Sequence, residues 1–347
     1  MNSPPSVAIL LLNYRGWNDT IECLESLFRM AYSSFRIIVV DNNSEDGSLD
    51  KIGLWAKGKL NHYSLPNHPC KQFTFPPIEK PIPLTIVNSP RNETAVIGSN
   101  ENQPRLTLIQ SDANRGYAAG NNIGLRFILE HTESEFVWLL NNDTVVKPDA
   151  LSKLVERFQA NHSTGICGST LLYYDDPELV QARGGAWFKH WFAYTKHIGV
   201  FTNVNTSFRL GDVERDLDYV SGASMLLSRP FLEEVGLMEE RYFLYFEEID
   251  WATRAKRQGF QLRYAPESIV YHKEGAVTGA NNRRGSKTLL TDFYGQRNRL
   301  LFTRKHYPVA LPTVWLAMLA SVGVRCLRRK YRMAWQLLQI LFGKRTL

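Results

Sequence analysis

Polar residues abruptly follow two apolar runs of this sequence, and their types could do chemistry. Asp41 follows the run that ends at Val40. A carboxylate there can accept hydrogen bonds from a base imide or a ribose hydroxyl. Asp143 follows the run that ends at Leu140, and one carboxylate suffices for Mg²⁺ if a nucleotide diphosphate and water complete its shell. Asp and Asn also favour turns and helix caps, which is the structural alternative for both clusters.

A third cluster places three carboxylates in four positions, Glu247-Glu248-Ile249-Asp250. Like charges at this density are costly unless a metal, a positive group, a helix N-terminus or an arginine offsets them. Asp250 can pair with Arg254 one helical turn later, whereas Glu247 or Glu248 could face a cleft as a general base. A solvated helix N-terminus is the alternative. His272 ends a later apolar run, where a lone histidine is more often structural.

Short apolar runs alternate with amphipathic stretches in the first half of the chain, which predicts a parallel sheet with helices on its faces. In such sheets, ligands bind outside the carboxyl ends of the strands. The predicted strands are Val7–Asn13, Phe35–Val40, Leu106–Gln110, Phe136–Leu140, Tyr219–Leu227, Phe260–Tyr264 and Ile269–His272. The predicted helices begin at Asn18 or Asp19, Gly116, Pro148 and Glu247.

The composition of the 347-residue chain is that of a globular protein, with 44% hydrophobic and 22% charged residues. Eight of the sixteen prolines fall between Pro66 and Pro104, and residues 58–105 lack a sustained periodicity. We therefore predict a surface insertion there rather than a domain. Four scattered cysteines without a CxxC pair argue against a zinc module or a disulfide scaffold. No signal-peptide pattern precedes Val7, so we expect a cytosolic catalytic body.

Basic residues concentrate near the C-terminus. The formal net charge is +7, yet eleven Arg or Lys residues and no Asp or Glu occur from Gly295 onward, so the preceding part is mildly acidic. This distribution argues against general nucleic-acid binding. Tyr307–Val324 has no charged residue, and basic residues flank it on both sides. We predict that residues 306–347 lie on an anionic membrane surface. A membrane-spanning helix and a soluble packing or dimerisation helix are the alternatives.

Seven motifs, taken in order, make the sequence resemble the family 2 glycosyltransferases of the GT-A fold, especially their bacterial rhamnosyltransferase-like branch. The motifs are Leu10–Tyr14, Val39–Gly47, Asn114–Asn122, Leu140–Thr144, Val220–Ala223, Tyr242–Arg254 and Val270–His272. The resemblance implies an α/β fold of GT-A type, with a mostly parallel central sheet, helices on both faces, and C-terminal amphipathic or apolar helices. It implies a glycosyltransferase domain over 1–305, interrupted by the insertion, before the membrane-associating segment 306–347.

The resemblance also implies roles for single residues. Asp143 and His272 would hold Mg²⁺ or Mn²⁺, and Glu248 would be the catalytic base, with Glu247 as the alternative. The nucleotide-diphosphate donor would be bound by Asn13, Asp41, Asn114, Gly116, Asn121, Asn141 and Arg297. Two departures from the family pattern matter. Asn141 replaces the first aspartate of the metal motif, and Glu248 replaces the aspartate that is usual at the base position.

The implied activity is an inverting, metal-dependent transfer of a sugar from a dTDP-, UDP- or GDP-linked donor. The acceptor would be a hydroxyl of a glycan or a polyprenyl-diphosphate-linked molecule in cell-surface polysaccharide synthesis. The enzyme would be cytoplasmic and peripheral on the inner face of the cell membrane. One alternative is a sugar-phosphate nucleotidylyltransferase, but the sequence around Asn13–Asn18 lacks a glycine-rich phosphate loop. The other is an inactive nucleotide-binding or membrane scaffold, which only Asn141 supports.

Overall fold

The computed structural model describes residues 3–61, 68–88, 105–274 and 287–343. The strands are β1 Val7–Asn13, β2 Phe35–Asp41, β3 Leu84–Asn88, β4 Leu106–Gln110, β5 Phe136–Asn141, β6 Thr144–Val146, β7 Thr164–Tyr173, β8 Asp176–Arg183, β9 Gly185–Lys189, β10 Tyr194–His197, β11 Tyr219–Val220, β12 Ser224–Ser228 and β13 Gln261–His272. A ten-stranded sheet has the order β3-β4-β2-β1-β5-β12-β7-β13-β6, with β8 paired to β7, and β10-β9-β11 form a smaller sheet. The helices are α1 Trp17–Leu27, α2 Ser48–Ala56, α3 Tyr117–His131, α4 Ala150–Gln159, α5 Leu210–Asp216, α6 Arg229–Val235, α7 Glu247–Arg257, α8 Leu289–His306, α9 Leu311–Leu327 and α10 Tyr331–Leu341.

Two apolar cores lie on opposite faces of the sheet, because successive side chains of a strand alternate between faces. On β1, Ile9 joins the core that also includes side chains of α1, α2 and α4. Its neighbour Leu10 joins the other core, with side chains of α3, α6 and α7. Strands covered on both faces read as continuous apolar runs. The predicted α/β architecture, with a mostly parallel sheet and helices on both faces, is confirmed.

Most predicted elements agree with the structure to within a few residues, but several differ. The predicted strand Tyr219–Leu227 is two strands, because the chain turns at 221–223 and passes from the small sheet to the large one. The two predicted strands before His272 are instead one long strand, β13, which contains an irregularity between Ala265 and Ile269. Gly16, rather than Asn18 or Asp19, precedes the first helix.

The described part of the proline-rich insertion includes an edge strand that the sequence did not predict. This strand, β3, pairs in parallel with β4. A 3-10 helix at Pro69–Phe73 precedes it and buries Cys70. Residues 62–67 and 89–104 of the insertion lie outside the described residues. All four cysteines of the chain are free thiols, and Cys23, Cys70 and Cys167 are buried.

The C-terminal helices pack on α8 around a third apolar core, in which Phe293 of α8 meets Val314 and Met318 of α9. A paired ion contact reinforces this packing, since both terminal nitrogens of Arg325 lie 2.8 Å from the Asp292 carboxylate. Within the described residues, the stretch Pro308–Leu327 is long and apolar enough to cross a membrane. A single helix of this kind is weak evidence for a membrane span, because core helices of soluble proteins satisfy the same criteria.

Candidate functional site

Asn13 and Asp41 end two neighbouring parallel strands, and their register places them side by side. Asn13 Nδ2 donates a hydrogen bond to Asp41 Oδ1 at 2.6 Å. The same carboxylate accepts from the Ser44 hydroxyl at 2.5 Å, the Ser44 backbone N–H at 3.0 Å and Gln110 Nε2 at 3.2 Å. These donors hold the buried Asp41 carboxylate in place and satisfy it with protein hydrogen bonds at the edge of the sheet.

Asn114 and Gly116 lie at the same edge, beside the β2 end. Asn42 Nδ2 donates to Asn114 Oδ1 at 3.0 Å, and this oxygen also accepts the Gly116 N–H at 3.0 Å. Asn42 Oδ1 is buried and has no hydrogen-bond partner within the described part of the chain. Asn121 lies one helical turn into α3, where its Nδ2 donates to the Tyr117 carbonyl at 3.0 Å.

Asp143 and His272 approach each other although 129 positions separate them in the sequence. His272 ends β13 and pairs with Thr144, directly after Asp143. Its Nε2 lies 3.2 Å from Asp143 Oδ1 and 3.4 Å from Asn141 Nδ2. Burial alone would raise the pKa of Asp143, but His272 and Lys273 bring it below its usual value. Burial opposes protonation of His272, but Asp143 raises its pKa overall.

The Asp143–His272 pair has suitable chemistry for Mg²⁺ or Mn²⁺. It combines an anionic oxygen with an imidazole nitrogen, both of which bind Mn²⁺, and the oxygen also suits Mg²⁺. His272 Nδ1 lies 2.8 Å from Gln181 Oε1, a contact that orients the ring as outer hydrogen bonds do in metal sites. Within the described residues, no group of three His, Cys, Asp or Glu side chains could hold a metal. The pair therefore requires further ligands from substrate and water.

Glu247 and Glu248 begin α7 and have different surroundings. Glu247 Oε2 is buried and has no hydrogen-bond partner among the described residues. Burial, followed by the neighbouring carboxylate of Glu248, raises its pKa well above the usual value. Burial also raises the pKa of Glu248, although backbone hydrogen bonds, including that of Gly222, oppose the shift. Glu248 lies so close to this backbone that a Cβ atom on Gly222 would be 2.5 Å from its Oε1.

Tyr117 connects the Asp143–His272 pair with the glutamates, a role that the sequence analysis did not predict. Its hydroxyl donates to the Gly222 carbonyl at 3.0 Å and contacts Asn141 Oδ1 at 3.3 Å. Burial and then the charges of Glu248 and Glu247 raise the pKa of this hydroxyl well above the usual value, so it remains a donor. Tyr117 lies inside the Asn114–Asn122 motif, which was its signal in the sequence.

The turn before Glu247 has an unusual backbone. Phe243, Tyr245 and Phe246 have φ angles of 63°, 68° and 79°. Each such conformation costs a bulky residue about 1 kcal/mol, so the surroundings must enforce it. Gly116 allows the close approach of this turn, because a Cβ at Gly116 would lie 2.2 Å from the Phe243 carbonyl oxygen. Tyr117 N–H donates to that oxygen at 2.6 Å.

Asn298 of α8 holds the same turn from the other side. Its buried Nδ2 lies 2.6, 2.8 and 2.9 Å from the carbonyl oxygens of Tyr242, Leu244 and Tyr245, which share its two N–H groups. Arg297 Nη1 in turn donates to Asn298 Oδ1 at 2.7 Å and to the Arg241 carbonyl at 3.0 Å. Arg297 matched a family position in the sequence, whereas its neighbour Asn298, which makes the contacts to the turn, carried no such signal.

The helix that carries both glutamates is fixed by a buried ionic network at Asp250. His306 Nε2 and Lys305 Nζ lie 2.6 and 2.7 Å from Asp250 Oδ1, and Arg254 Nε lies 2.8 Å from Oδ2. Burial would raise the pKa of Asp250, but these three partners lower it strongly. The predicted Asp250–Arg254 pair is therefore confirmed as structural, and the network anchors α7 to the end of α8.

Comparisons with protein families give a consistent family assignment. A family model described as glycosyltransferase like family 2 matches residues 87–286, and one described as glycosyl transferase family 2 matches residues 6–68. The low-salt glycan biosynthesis hexosyltransferase Agl10 of Haloferax volcanii is 23% identical over 243 residues, covering 69% of this chain and 71% of that protein. The N-acetylglucosaminyl-diphospho-decaprenol L-rhamnosyltransferase of Mycobacterium tuberculosis is 23% identical over 217 residues, covering 58% and 69%.

The fold also has a counterpart among solved structures. The mannosyltransferase PcManGT from Pyrobaculum calidifontis, in complex with GDP-Man and Mn²⁺, superposes with a TM-score of 0.52. The match covers 97% of this chain and 86% of that one at 14% sequence identity. An identity this low supports the fold alone.

Proposed function

Since the chain belongs to the family 2 glycosyltransferases, we propose that it transfers a sugar from a nucleotide-diphosphate donor to an acceptor hydroxyl, with inversion at the anomeric carbon. The observation that carries this proposal is the Tyr117 bridge. Through Asn141 and Gly222, the hydroxyl of the partly buried Tyr117 joins the surroundings of Asp143 and His272 to those of Glu248. The groups needed for the leaving diphosphate and for the attacking hydroxyl are thus built around one side chain.

Donor binding is assigned to the edge formed by the β1, β2 and β5 ends. Asn13 and Asp41 are proposed to bind the nucleotide base. The residues proposed to lie along the nucleotide and sugar are Asn114, Gly116, Asn121 and Asn141. Asp143 and His272 would hold Mg²⁺ or Mn²⁺. A bound divalent ion would neutralise the charge that develops on the departing diphosphate. Arg297 is proposed to act near the phosphates, and its bond to Asn298 also links it to the Phe243–Phe246 turn.

Glu248 is proposed as the general base. It would take the proton from the acceptor hydroxyl while that oxygen attacks the anomeric carbon on the face opposite the diphosphate, so one displacement inverts the configuration. Its raised pKa makes its carboxylate a stronger base than an ordinary glutamate. Glu247, whose pKa burial also raises and whose Oε2 has no partner within the described residues, lies directly beside it and is the alternative base.

The acceptor is proposed to be a glycan or a polyprenyl-diphosphate-linked molecule in cell-surface polysaccharide synthesis. The relatives' names include glycan biosynthesis and a diphospho-decaprenol acceptor. Residues 1–305 would be the catalytic domain, and 306–347 would attach it to the cytoplasmic face of the membrane. Leu316 and Leu327 of α9 support this assignment, since their side chains are 60% and 87% exposed. Basic residues follow directly in the turn before α10.

A donor panel tests the function. dTDP-, UDP- and GDP-linked sugars are added with Mn²⁺, and thermal unfolding and nucleotide release are measured. One donor class should raise the melting temperature by preferential binding to the folded state and release its nucleotide only with metal. Asp143→Asn is the matched control, and it should lose the metal-dependent nucleotide release and the metal-dependent rise in melting temperature. An absence of nucleotide release from every donor, despite binding, would favour the inactive scaffold. Release of pyrophosphate from a sugar phosphate and a nucleoside triphosphate would indicate a nucleotidylyltransferase.

A further inference from the structure

The turn between β9 and β10 presents two large apolar side chains to solvent. Trp191 and Phe192 are 49% and 52% exposed. Their backbone, in contrast, is fixed, since the Trp191 carbonyl accepts from Thr313 Oγ1 at 2.5 Å and the Phe192 carbonyl accepts from Arg299 Nε at 3.0 Å. An ordered turn that holds aromatic side chains outward differs from a loose loop, and it needs an explanation outside the donor site.

The Trp191–Phe192 turn lies against a helix with two distinct faces. Val314, Met318 and Val322 of α9 are buried at a spacing of four residues. Leu316 and Leu327 project from the opposite side, and Thr313, which holds the turn, lies one helical turn before Leu316. The turn therefore adjoins the exposed apolar face of α9.

An aromatic stripe on α10 continues the exposed apolar surface. Tyr331, Trp335 and Phe342 are 63%, 63% and 77% exposed, and they recur on one side of the helix. Phe342 contacts the ring of Trp315 on α9, with centroids 6.4 Å apart. Exposed aromatic side chains next to basic ones are typical of elements that lie in the interface of a bilayer.

Basic side chains lie at one end of this surface. The turn between α9 and α10 contains three consecutive basic residues, 328–330. A pocket of about 570 Å³ is lined by Lys287, Leu289, Arg329, Lys330, Tyr331, Arg332 and Met333, without an acidic residue. Such a surface complements an anionic phospholipid headgroup layer, and the exposed aromatic side chains beside it favour a bilayer.

We propose that the Trp191–Phe192 turn, the outer face of α9 and the aromatic stripe of α10 form one surface that docks on an anionic phospholipid bilayer. The inference rests on the membrane attachment proposed above and adds a contact from within the catalytic domain. A domain that contacts the bilayer at three places has a fixed orientation on it, whereas a domain attached only through a terminal helix could turn freely. The three-stranded sheet connects this surface to the candidate active site. In that sheet β9 pairs with β11, and the chain continues from β11 to Gly222, which lies beside Glu248.

Vesicle binding tests the surface. Full-length wild type and the double variant Trp191→Ala/Phe192→Ala are sedimented with phosphatidylcholine vesicles, with and without phosphatidylglycerol. The matched control is Phe201→Ala, which removes a Phe of similar exposure (51%) from a loop that adjoins β8. The double variant should bind anionic vesicles about tenfold more weakly, because two aromatic side chains no longer enter the interface. Phe201→Ala should bind like wild type, and Phe192→Leu should retain most of the binding.

Companion measurements keep the outcomes distinct. The double variant should keep the wild-type melting temperature and metal-dependent nucleotide release, so that lost vesicle binding is not lost folding. Equal vesicle binding by the double variant and wild type would overturn the inference while leaving the glycosyltransferase function intact. A different result would also overturn the inference: the wild type does not bind vesicles and is a dimer in solution, and the double variant is monomeric. That result would show that a second copy of the chain covers this surface.

Discussion

Nε2 of His272 lies 3.2 Å from Oδ1 of Asp143. The two side chains come from the end of one strand and from the turn after another, and the lowered pKa of Asp143 keeps its carboxylate charged. A charged oxygen beside an imidazole is a pair that a divalent ion can bridge, with diphosphate oxygens as further ligands. This relationship gives the first prediction.

Asp143→Ala should weaken nucleotide-diphosphate binding only where metal contributes. With Mn²⁺ present, the Kd should rise by more than about tenfold, as for lost metal-site interactions. Without metal it should change little, because the base and ribose contacts remain. Isothermal titration in both conditions measures the difference, and Asp212→Ala, at an exposed aspartate of α5, is the control. Identical titration curves for wild type and Asp143→Ala would remove this residue from the metal site.

Gly116→Ala should destabilise the fold through a steric clash. Gly236→Ala, at a glycine with a similar backbone conformation, is the control. Gly116 has φ 94° and ψ −177°, and Gly236 has nearly the same backbone, φ 78° and ψ −174°. A Cβ at Gly116 would lie 2.2 Å from the Phe243 carbonyl oxygen, whereas one at Gly236 has no atom within 4 Å. In urea unfolding, Gly116→Ala should therefore lose about 2 kcal/mol more than Gly236→Ala. Equal losses would mean that backbone strain alone determines both.

Asn298→Asp should impair turnover more than donor binding. The substitution replaces a donating amide with a carboxylate oxygen that faces three carbonyl oxygens, so the turn before Glu247 should shift. A displacement of about 1 Å at a catalytic group can lower kcat about a hundredfold. Donor Kd should stay within a few-fold of wild type. The exposed substitution Asn205→Asp is the control. A change in Kd as large as the change in kcat would point to general destabilisation instead.

The Asp250 network should make stability depend on pH in the acid range. The folded-state pKa of Asp250 is lowered, so its contribution is complete above the unfolded-state pKa of about 4. It should be lost progressively as the pH falls below that value. Asp250→Asn should lose about 3 kcal/mol at neutral pH and show a flatter decline in acid than wild type. Urea unfolding between neutral and acidic pH measures both, and parallel pH profiles would contradict the assignment.

Sequence patterns predicted the parts of the site that local chain order controls. The β1, β2 and β5 runs were recognisable because buried parallel strands are continuously apolar and end abruptly in polar residues such as Asn13 and Asp41. Contacts between distant segments were not recognisable. Tyr117 lies within a recognised motif and Asn298 looks like an ordinary helix residue, but only the folded chain brings Tyr117 to Gly222, 105 positions away, and Asn298 to Tyr242, 56 positions away.

The edge strand β3 and the three-stranded sheet were missed for a related reason. Leu84–Asn88 contains β-branched residues, but it lies among prolines that obscure its strand pattern, and it becomes a strand by pairing with β4. Likewise, the break at 221–223 divides an apolar run that reads as one strand. Its cause is tertiary, because the Gly222 backbone must pass beside Glu248.

The direct test of the proposed chemistry is the comparison of kcat for Glu248→Gln and Glu247→Gln, measured with the donor identified in the panel. Glu248→Gln removes the proton acceptor and should lower kcat by about a thousandfold with donor Kd nearly unchanged. Glu247→Gln keeps the shape of a side chain that is not assigned the proton transfer and should lower kcat less than about tenfold. The reverse order, or a Glu248→Gln variant with near wild-type turnover, would contradict Glu248 as the base.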